Sequence, residues 1–273
     1  MTCAWNELLR FLPPQVRPQV AAHETDAQEI RLRLNQPLEL VTSNGVYWGA
    51  GHVTQEELDG CINAASCYSP WAAATLAQGY ITAPGGHRIG VCGEAVVKNG
   101  IFTGIRSPRS LCIRIARDFP GLADQIHFLG QAMLILGAPG WGKTTLLRDV
   151  ARKIAREQVV AVVDERQELF PPGFQMGRRM DILFGCPKRQ GIETVLKTMS
   201  PEDIVVDEIT TMADCEALIA AYGCGVRLIA TAHGATMADF QRRAVYQPLL
   251  QHHIFDTFII LHRDKSFHME ACC

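Results

Sequence analysis

Apolar and polar positions change rhythm once along the chain. In the first part they alternate over short stretches. "EIRLRLNQPLELV" alternates on both sides of Asn35-Gln36-Pro37 and predicts two short strands joined by a turn. "TQEELDGCINAAS" opens with Thr54 and Glu57 at capping-box spacing, which predicts a helix. "SPWAAATLAQG" predicts a second helix, with Ser69 as N-cap, Pro70 at the first helical position and Gly79 at the end. "YITAPGGHRIGVCGEAVVKNGIFTGI" reads as strands broken at Pro84-Gly85-Gly86 and Asn99-Gly100, and "SLCIRIAR" as one more strand.

After Pro120-Gly121, in the linker-like "RDFPGLADQ", the strands become continuous apolar runs between helices. "AMLILG" precedes a helix from Lys143 to about Arg156. "VVAVVDE" leads into a Gly/Pro-rich loop, and "GIETVLKTM" is helical. Strand "DIVVDE", helix "MADCEALIAAYG", strand "VRLIATAH", helix "MADFQRRAVYQPLL" and a last strand "TFIILH" follow. Strands apolar throughout belong to a parallel sheet covered by helices on both faces. The expected organisation is a small α+β N-terminal domain over 1–119 and an α/β domain over 120–273.

Composition narrows the classes. Of the 273 residues 48% are hydrophobic and 20% charged, enough apolar material for a packed core. Net charge is −2, and aromatics make up 7% with no basic–aromatic cluster, so no nucleic-acid partner is expected. The start "MTCAWNELLRFLPP" lacks a signal peptide's pattern, and no run of about 18 apolar residues could span a membrane. The expectation is a cytoplasmic protein that meets a membrane only through a partner. The ten cysteines form no CxxC pair and mostly sit in apolar runs, which suggests buried small side chains in a reducing compartment.

The chemistry lies in "GAPGWGKTT". Gly137, Ala138, Pro139, Gly140, Trp141, Gly142, Lys143 and Thr144 fit GxxxxGK[ST], between a predicted strand and a predicted helix. The glycines let backbone amides wrap phosphates at a helix N-terminus. Lys143 is placed to reach the β- and γ-phosphates of ATP, and Thr144 to hold Mg²⁺, with Thr145 beside them. The α/β domain is therefore expected to be a RecA-like P-loop NTPase. Downstream, "DIVVDE" ends a strand in Asp207 and Glu208, a pair suited to Mg²⁺ and to polarising the attacking water. "VVDERQE" ends another strand in Asp164, Glu165 and Glu168. "LIATAHG" delivers His233, placed to sense the γ-phosphate. In a parallel sheet these strand ends emerge at one edge.

In this order the four pieces resemble the type II/type IV secretion ATPase superfamily. More closely, "GYITAPGGHRIGVCGEAVV", "GAPGWGKTTLLRDVAR", "VVDERQEL", "GRRMDIL", "CPKRQGI", "MSPEDIVVDEI" and "GVRLIATAHG" resemble the stage III sporulation protein AA family. The resemblance implies that Glu168 is the Asp-box residue that polarises water, Glu208 the Walker B acid and His233 the His-box residue. It implies a homo-hexameric ring, with arginines closing over the phosphates from the N-terminal part. Arg88, Arg106 and Arg114 are candidates there, and Arg179 another. It further implies a motor that energises a secretion-like channel between mother cell and forespore, through an integral-membrane partner. The chain departs from the family pattern at Thr210-Thr211 after the Walker B strand, where the family has Gly-Arg, and at Gln167, where it has Ser. Two other functions stay open: a RecA-like ATPase on single-stranded nucleic acid, and a small-molecule kinase.

Overall fold

The computed structural model describes residues 2–67, 79–127, 130–171 and 173–271. The helix expected between Ser69 and Gly79 lies, apart from Gly79, outside the described residues. Spatial clustering gives two compact units. One is Met1–Asp118 with Pro171–Phe174; the other is Phe119–Phe170 with Gln175–Cys273.

The first unit is a mixed α+β layer. Helices α1 (Trp5–Phe11) and α2 (Arg17–Ala21) precede strands β1 (Ala27–Arg33), β2 (Glu39–Thr42) and β3 (Gly45–Trp48). Helix α3 (Gln55–Ala65) follows, then β4 (Tyr80–Thr82), β5 (Arg88–Lys98) and β6 (Ile101–Arg114). The strands form an antiparallel sheet in the order β3-β2-β1-β6-β5-β4. Alternation fixes the buried face: Ile30, Leu32, Ile89, Val91, Leu111 and Ile113 point to one core. Trp5, Leu8 and Phe11 of α1 and Leu58, Cys61 and Ile62 of α3 cover that core. Thr54 accepts from the Glu57 amide at 3.2 Å and the Glu57 carboxylate accepts from the Thr54 amide at 2.9 Å, the predicted capping box.

The second unit carries a seven-stranded sheet ordered β13-β12-β7-β11-β10-β8-β9. Its strands are β7 (Met133–Gly137), β8 (Val160–Asp164), β9 (Met180–Phe184), β10 (Asp203–Ile209), β11 (Arg227–His233), β12 (Thr257–Leu261) and β13 (Phe267–Ala271). All neighbours are parallel except the β12–β13 pair at one edge. Helix α4 (Lys143–Ile154) packs Leu147, Val150 and Ile154 on one face, against Met133, Ile135, Val205 and Ile229. Helices α5 (Lys188–Thr198) and α6 (Met212–Gly223) cover the other, where Leu134, Leu136, Val163 and Val206 point. This is the RecA-like P-loop NTPase fold, preceded by a small α+β layer.

Several expectations need correction. The sheet is not wholly parallel, because β13 pairs antiparallel, and β9 and β13 were not predicted. "SLCIRIAR" is not a separate strand. It continues β6, which passes Ser107-Pro108 through a bulge facing Gly93. A Cβ on Gly93 would lie 2.6 Å from the Ser107 carbonyl, so only glycine admits the approach. "MADFQRRAVYQPLL" is two helices, α7 (Met237–Arg242) and α8 (Gln247–Gln251), because Arg243 turns extended (φ −82°, ψ 119°) and Pro248 starts the second. Among the described cysteines only Cys61 and Cys215 are buried; Cys67, Cys92 and Cys224 are exposed.

Candidate nucleotide site

Strand β7 ends at Gly137 and α4 begins at Lys143, so the phosphate loop joins a strand end to a helix N-terminus. Gly140 (φ 76°) and Gly142 (φ 101°) adopt left-handed conformations that a side chain would strain. Gly142 is the N-cap of α4 and accepts the Leu146 amide at 2.9 Å. The free amides of the first turn, aligned with the helix dipole, favour an anion there.

Lys143 folds back over this loop. Its Nζ donates to the Gly137 carbonyl at 2.9 Å and to His233 Nδ1 at 3.2 Å. His233 Nε2 lies 2.5 Å from Glu208 Oε1. One neutral tautomer, protonated on Nε2, satisfies both contacts. The P-loop lysine, the histidine ending β11 and the carboxylate near the end of β10 thus form a continuous chain. Burial pushes the Lys143 ammonium below its ordinary pKa, against the opposing pull of Glu208 and Asp207.

Beside this chain, Thr144 Oγ1 donates to Asp207 Oδ2 at 2.9 Å. Thr231 Oγ1 donates to Asp207 Oδ1 at 2.6 Å and accepts the Glu208 amide at 2.7 Å. Desolvation raises the Asp207 carboxyl, and the two hydroxyls hold it down. Hydroxyl and carboxylate are hard oxygen donors and fit Mg²⁺ completed by phosphate oxygens and water. Glu208 sits at φ 46°, inside a register slip of β10 against β11 between Val206 and Ile209. Such a conformation costs of order 1–3 kcal/mol, and the bulge places Asp207 and Glu208 together at the strand end. Arg166 Nη1 approaches Glu208 Oε2 at 3.4 Å.

The acidic loop after β8 is held from two sides. Asp164 is buried and accepts the amides of Glu168 (2.9 Å), Leu169 (2.8 Å) and Phe170 (3.3 Å). Its carboxyl is raised by desolvation, which the Leu169 and Phe170 amides and Arg148 oppose. Arg148 of α4 donates to the carbonyls of Glu168, at 2.8 Å, and Leu169. The P-loop helix therefore fixes the backbone from which Glu168 projects. Lys188 at the start of α5 joins Glu165, at 2.9 Å, to Asp214, at 3.8 Å. Asp214 in turn caps α6 with Thr211.

Lys143, Thr144, Asp207, Glu208 and His233 thus converge, with the Glu168 loop tied to the same helix. Arg179 does not join them. It precedes β9 at the opposite end of the sheet, beside Glu202 at 3.8 Å. Arg88, Arg106 and Arg114 belong to the first unit. Arg88 lies over the Tyr80 ring, Arg106 pairs with Glu94 at 2.5 Å, and Arg114 is 3.9 Å from Glu29. Sequence reasoning missed Thr231, Arg148 and Tyr246. The Tyr246 hydroxyl donates to the Ile209 carbonyl and accepts the His233 amide, tying β10 to β11. Thr231 left one clue, a hydroxyl inside an otherwise apolar strand.

The fold is that of the RecA-like P-loop NTPase class. The chain belongs to the family described as "Sporulation stage III, protein AA", which matches residues 6–269. It is 34% identical to "Stage III sporulation protein AA" of Bacillus subtilis strain 168, over 96% of this chain and 92% of that protein. In fold it is similar to the ATPase DotB of Legionella pneumophila (TM-score 0.63, 16% identity, 93% of this chain and 78% of that one). It is also similar to the pilus retraction motor PilT with bound ADP (TM-score 0.63, 13% identity, 91% and 78%).

Proposed function

We propose that the protein is an ATP-hydrolysing motor subunit that drives a channel complex in sporulation. The observation that carries this reading is the chain Lys143–His233–Glu208 lying beside the Thr144–Asp207 pair at one sheet edge. Lys143 leaves the Gly137 carbonyl and His233 for the phosphates, and the amides of the loop take the remaining charge. Thr144 and Asp207 hold Mg²⁺, which neutralises phosphate charge when bound. Glu208 and Glu168 orient and polarise the attacking water, and His233 reports whether Lys143 has moved. The family assignment and the likeness to a pilus retraction motor support work on protein. The assembly proposed is a homo-hexamer in the cytoplasm, docked at the membrane between mother cell and forespore through an integral-membrane partner. Among the described residues no helix is long and apolar enough to cross a membrane. Arg88, Arg106 and Arg114 supply positive charge to the phosphates during turnover.

ATP turnover, measured with molar mass by light scattering, tests this reading. Glu208→Gln is expected to lower turnover by about 10²-fold or more while retaining ATP binding. A mass near six subunits with ATP supports the ring. A monomer that turns over fully, with no nucleotide-driven assembly, overturns it.

A further inference from the structure

Strands β5 and β6 run on past the rest of their sheet. Strand β4 pairs with β5 only over Arg88–Gly90, and β1 with β6 only over Ser110–Arg114. Beyond Gly93 and Pro108 the two strands pair only with each other among the described residues, from Glu94 opposite Arg106 to Lys98 opposite Ile101. At about 3.4 Å per residue this two-stranded ribbon projects roughly 15 Å. Asn99 (φ 51°) and Gly100 (φ 76°) close it with the two left-handed residues that a type I′ turn requires. The turn is therefore made by backbone conformation and does not depend on the side chains around it.

Those side chains are apolar and in water. Val97 is 57% exposed, Ile101 66% and Phe102 44%. Val97 and Phe102 share one face of the ribbon and Ile101 takes the other, beside Lys98. The charge around them has one sign. From Ala95 to Arg117 the chain carries five basic residues and no acid. The nearest carboxylate, Glu94, is held by Arg106 at 2.5 Å. The whole chain carries −2, so any attraction to an anionic surface has to be local, and it is local here.

We propose that the ribbon tip inserts into the surface of an anionic lipid bilayer. Val97, Ile101 and Phe102 enter the boundary between headgroups and acyl chains, a depth of about 5–10 Å. Lys98 extends its stem along them and leaves its ammonium among the lipid phosphates. A second copy of the chain fits the tip less well. Tip against tip sets Lys98 against Lys98, and three part-exposed side chains fall far short of the roughly 800 Å² per partner of a stable protein interface. A convex apolar tip needs a surface that yields around it, which a bilayer does. This contact adds to docking through a membrane partner and does not depend on ATP hydrolysis.

Co-sedimentation of the full chain with vesicles tests it, because pure lipid contains no partner. One set is phosphatidylcholine alone and the other equimolar phosphatidylcholine and phosphatidylglycerol. The anionic vesicles are expected to bind about 10-fold or more tightly than the neutral ones. That preference should collapse at an ionic strength of about 1 M, where screening acts within about 3 Å. Ile101→Ser combined with Phe102→Ser is expected to weaken anionic-vesicle binding about 10-fold or more, with lipid-free ATP turnover and the urea midpoint unchanged. Lys98→Glu tests the charge separately, with a loss of about fivefold or more expected, and stands alone if the double variant does not fold. Wild type that ignores anionic vesicles, or variants that bind them as wild type does, overturns the proposal. Self-association that only the tip variants lose, without vesicle binding, overturns it in favour of a contact between copies.

Discussion

Thr231 shows how much one hydroxyl decides. It is fully buried, donates a hydrogen bond to Asp207 and accepts one from the Glu208 amide, so two consecutive acids owe their placement to it. Thr231→Val keeps the shape and removes both bonds. Leaving these groups unsatisfied is expected to cost about 1–3 kcal/mol in denaturant unfolding. Without its hydrogen bond the Asp207 carboxyl, already raised by desolvation, rises further. The acid limb of the turnover–pH profile is therefore expected to move to higher pH. Thr231→Ser should restore it, and an unmoved limb would remove Thr231 from the site. Lys143 and the loop glycines were legible in sequence because their work is done by backbone conformation and by spacing along the chain. Thr231 was not, because its partners come from the neighbouring strand.

At the scale of elements, α4 is a hub as well as a phosphate cradle. Arg148 reaches the acidic loop, buried Asp149 takes the Ala123 amide and pairs with Arg152, and Lys153 closes carbonyls of the 123–126 segment. Arg148→Met strips two carbonyls of their donor and Asp164 of a neighbouring positive charge. We expect a loss of about 1–3 kcal/mol and faster amide exchange over residues 165–170. Turnover should fall more than nucleotide affinity, because the loop carries Glu168 and not the phosphate grip. Protection of that loop equal to wild type would refute the coupling. The same scale explains what the pattern revealed. Strands β7, β8, β10, β11 and β12 announced themselves because burial on both faces demands an unbroken apolar run. Edge strand β13 is largely exposed and has no apolar period, and β9 is a five-residue run broken by exposed Asp181 in which only Met180 is buried. Strand β6 hid its continuity at Ser107-Pro108, where a proline reads as a break unless the facing glycine and its bulge are seen.

The whole molecule joins two units, and the buried histidine of the first and the buried aspartates of the second respond to acid in opposite directions. In the first, His87 is fully buried; its Nε2 donates to the Ala4 carbonyl at 3.2 Å and its Nδ1 accepts the Ala116 amide at 3.2 Å. Only the neutral ring can do both, and burial, the largest cause, lowers its pKa. Below the unfolded value, about 6.5, the unfolded chain takes a proton that the native state refuses. Stability of this unit therefore falls as pH falls, by up to about 1.4 kcal/mol per pH unit until the lowered native pKa is reached. In the second unit Asp164 and Asp207 are raised. There the native state binds the proton first, so acidification through their native values relieves the cost of two desolvated carboxylates and adds stability. The lowered carboxyls of Glu29 and Glu94 lose their contribution only as pH falls below the ordinary carboxylate value, beneath the histidine window. Moving from pH 7.5 to 5.5 should thus loosen the first unit selectively. Amide protection factors, taken relative to the intrinsic exchange rate at each pH, are expected to fall in residues 2–67 and 79–118 before they fall in the strands around the P-loop. His87→Asn, whose amide can both donate and accept, is expected to flatten the dependence. Uniform loosening of both units, or an unchanged slope in His87→Asn, would refute the assignment to His87.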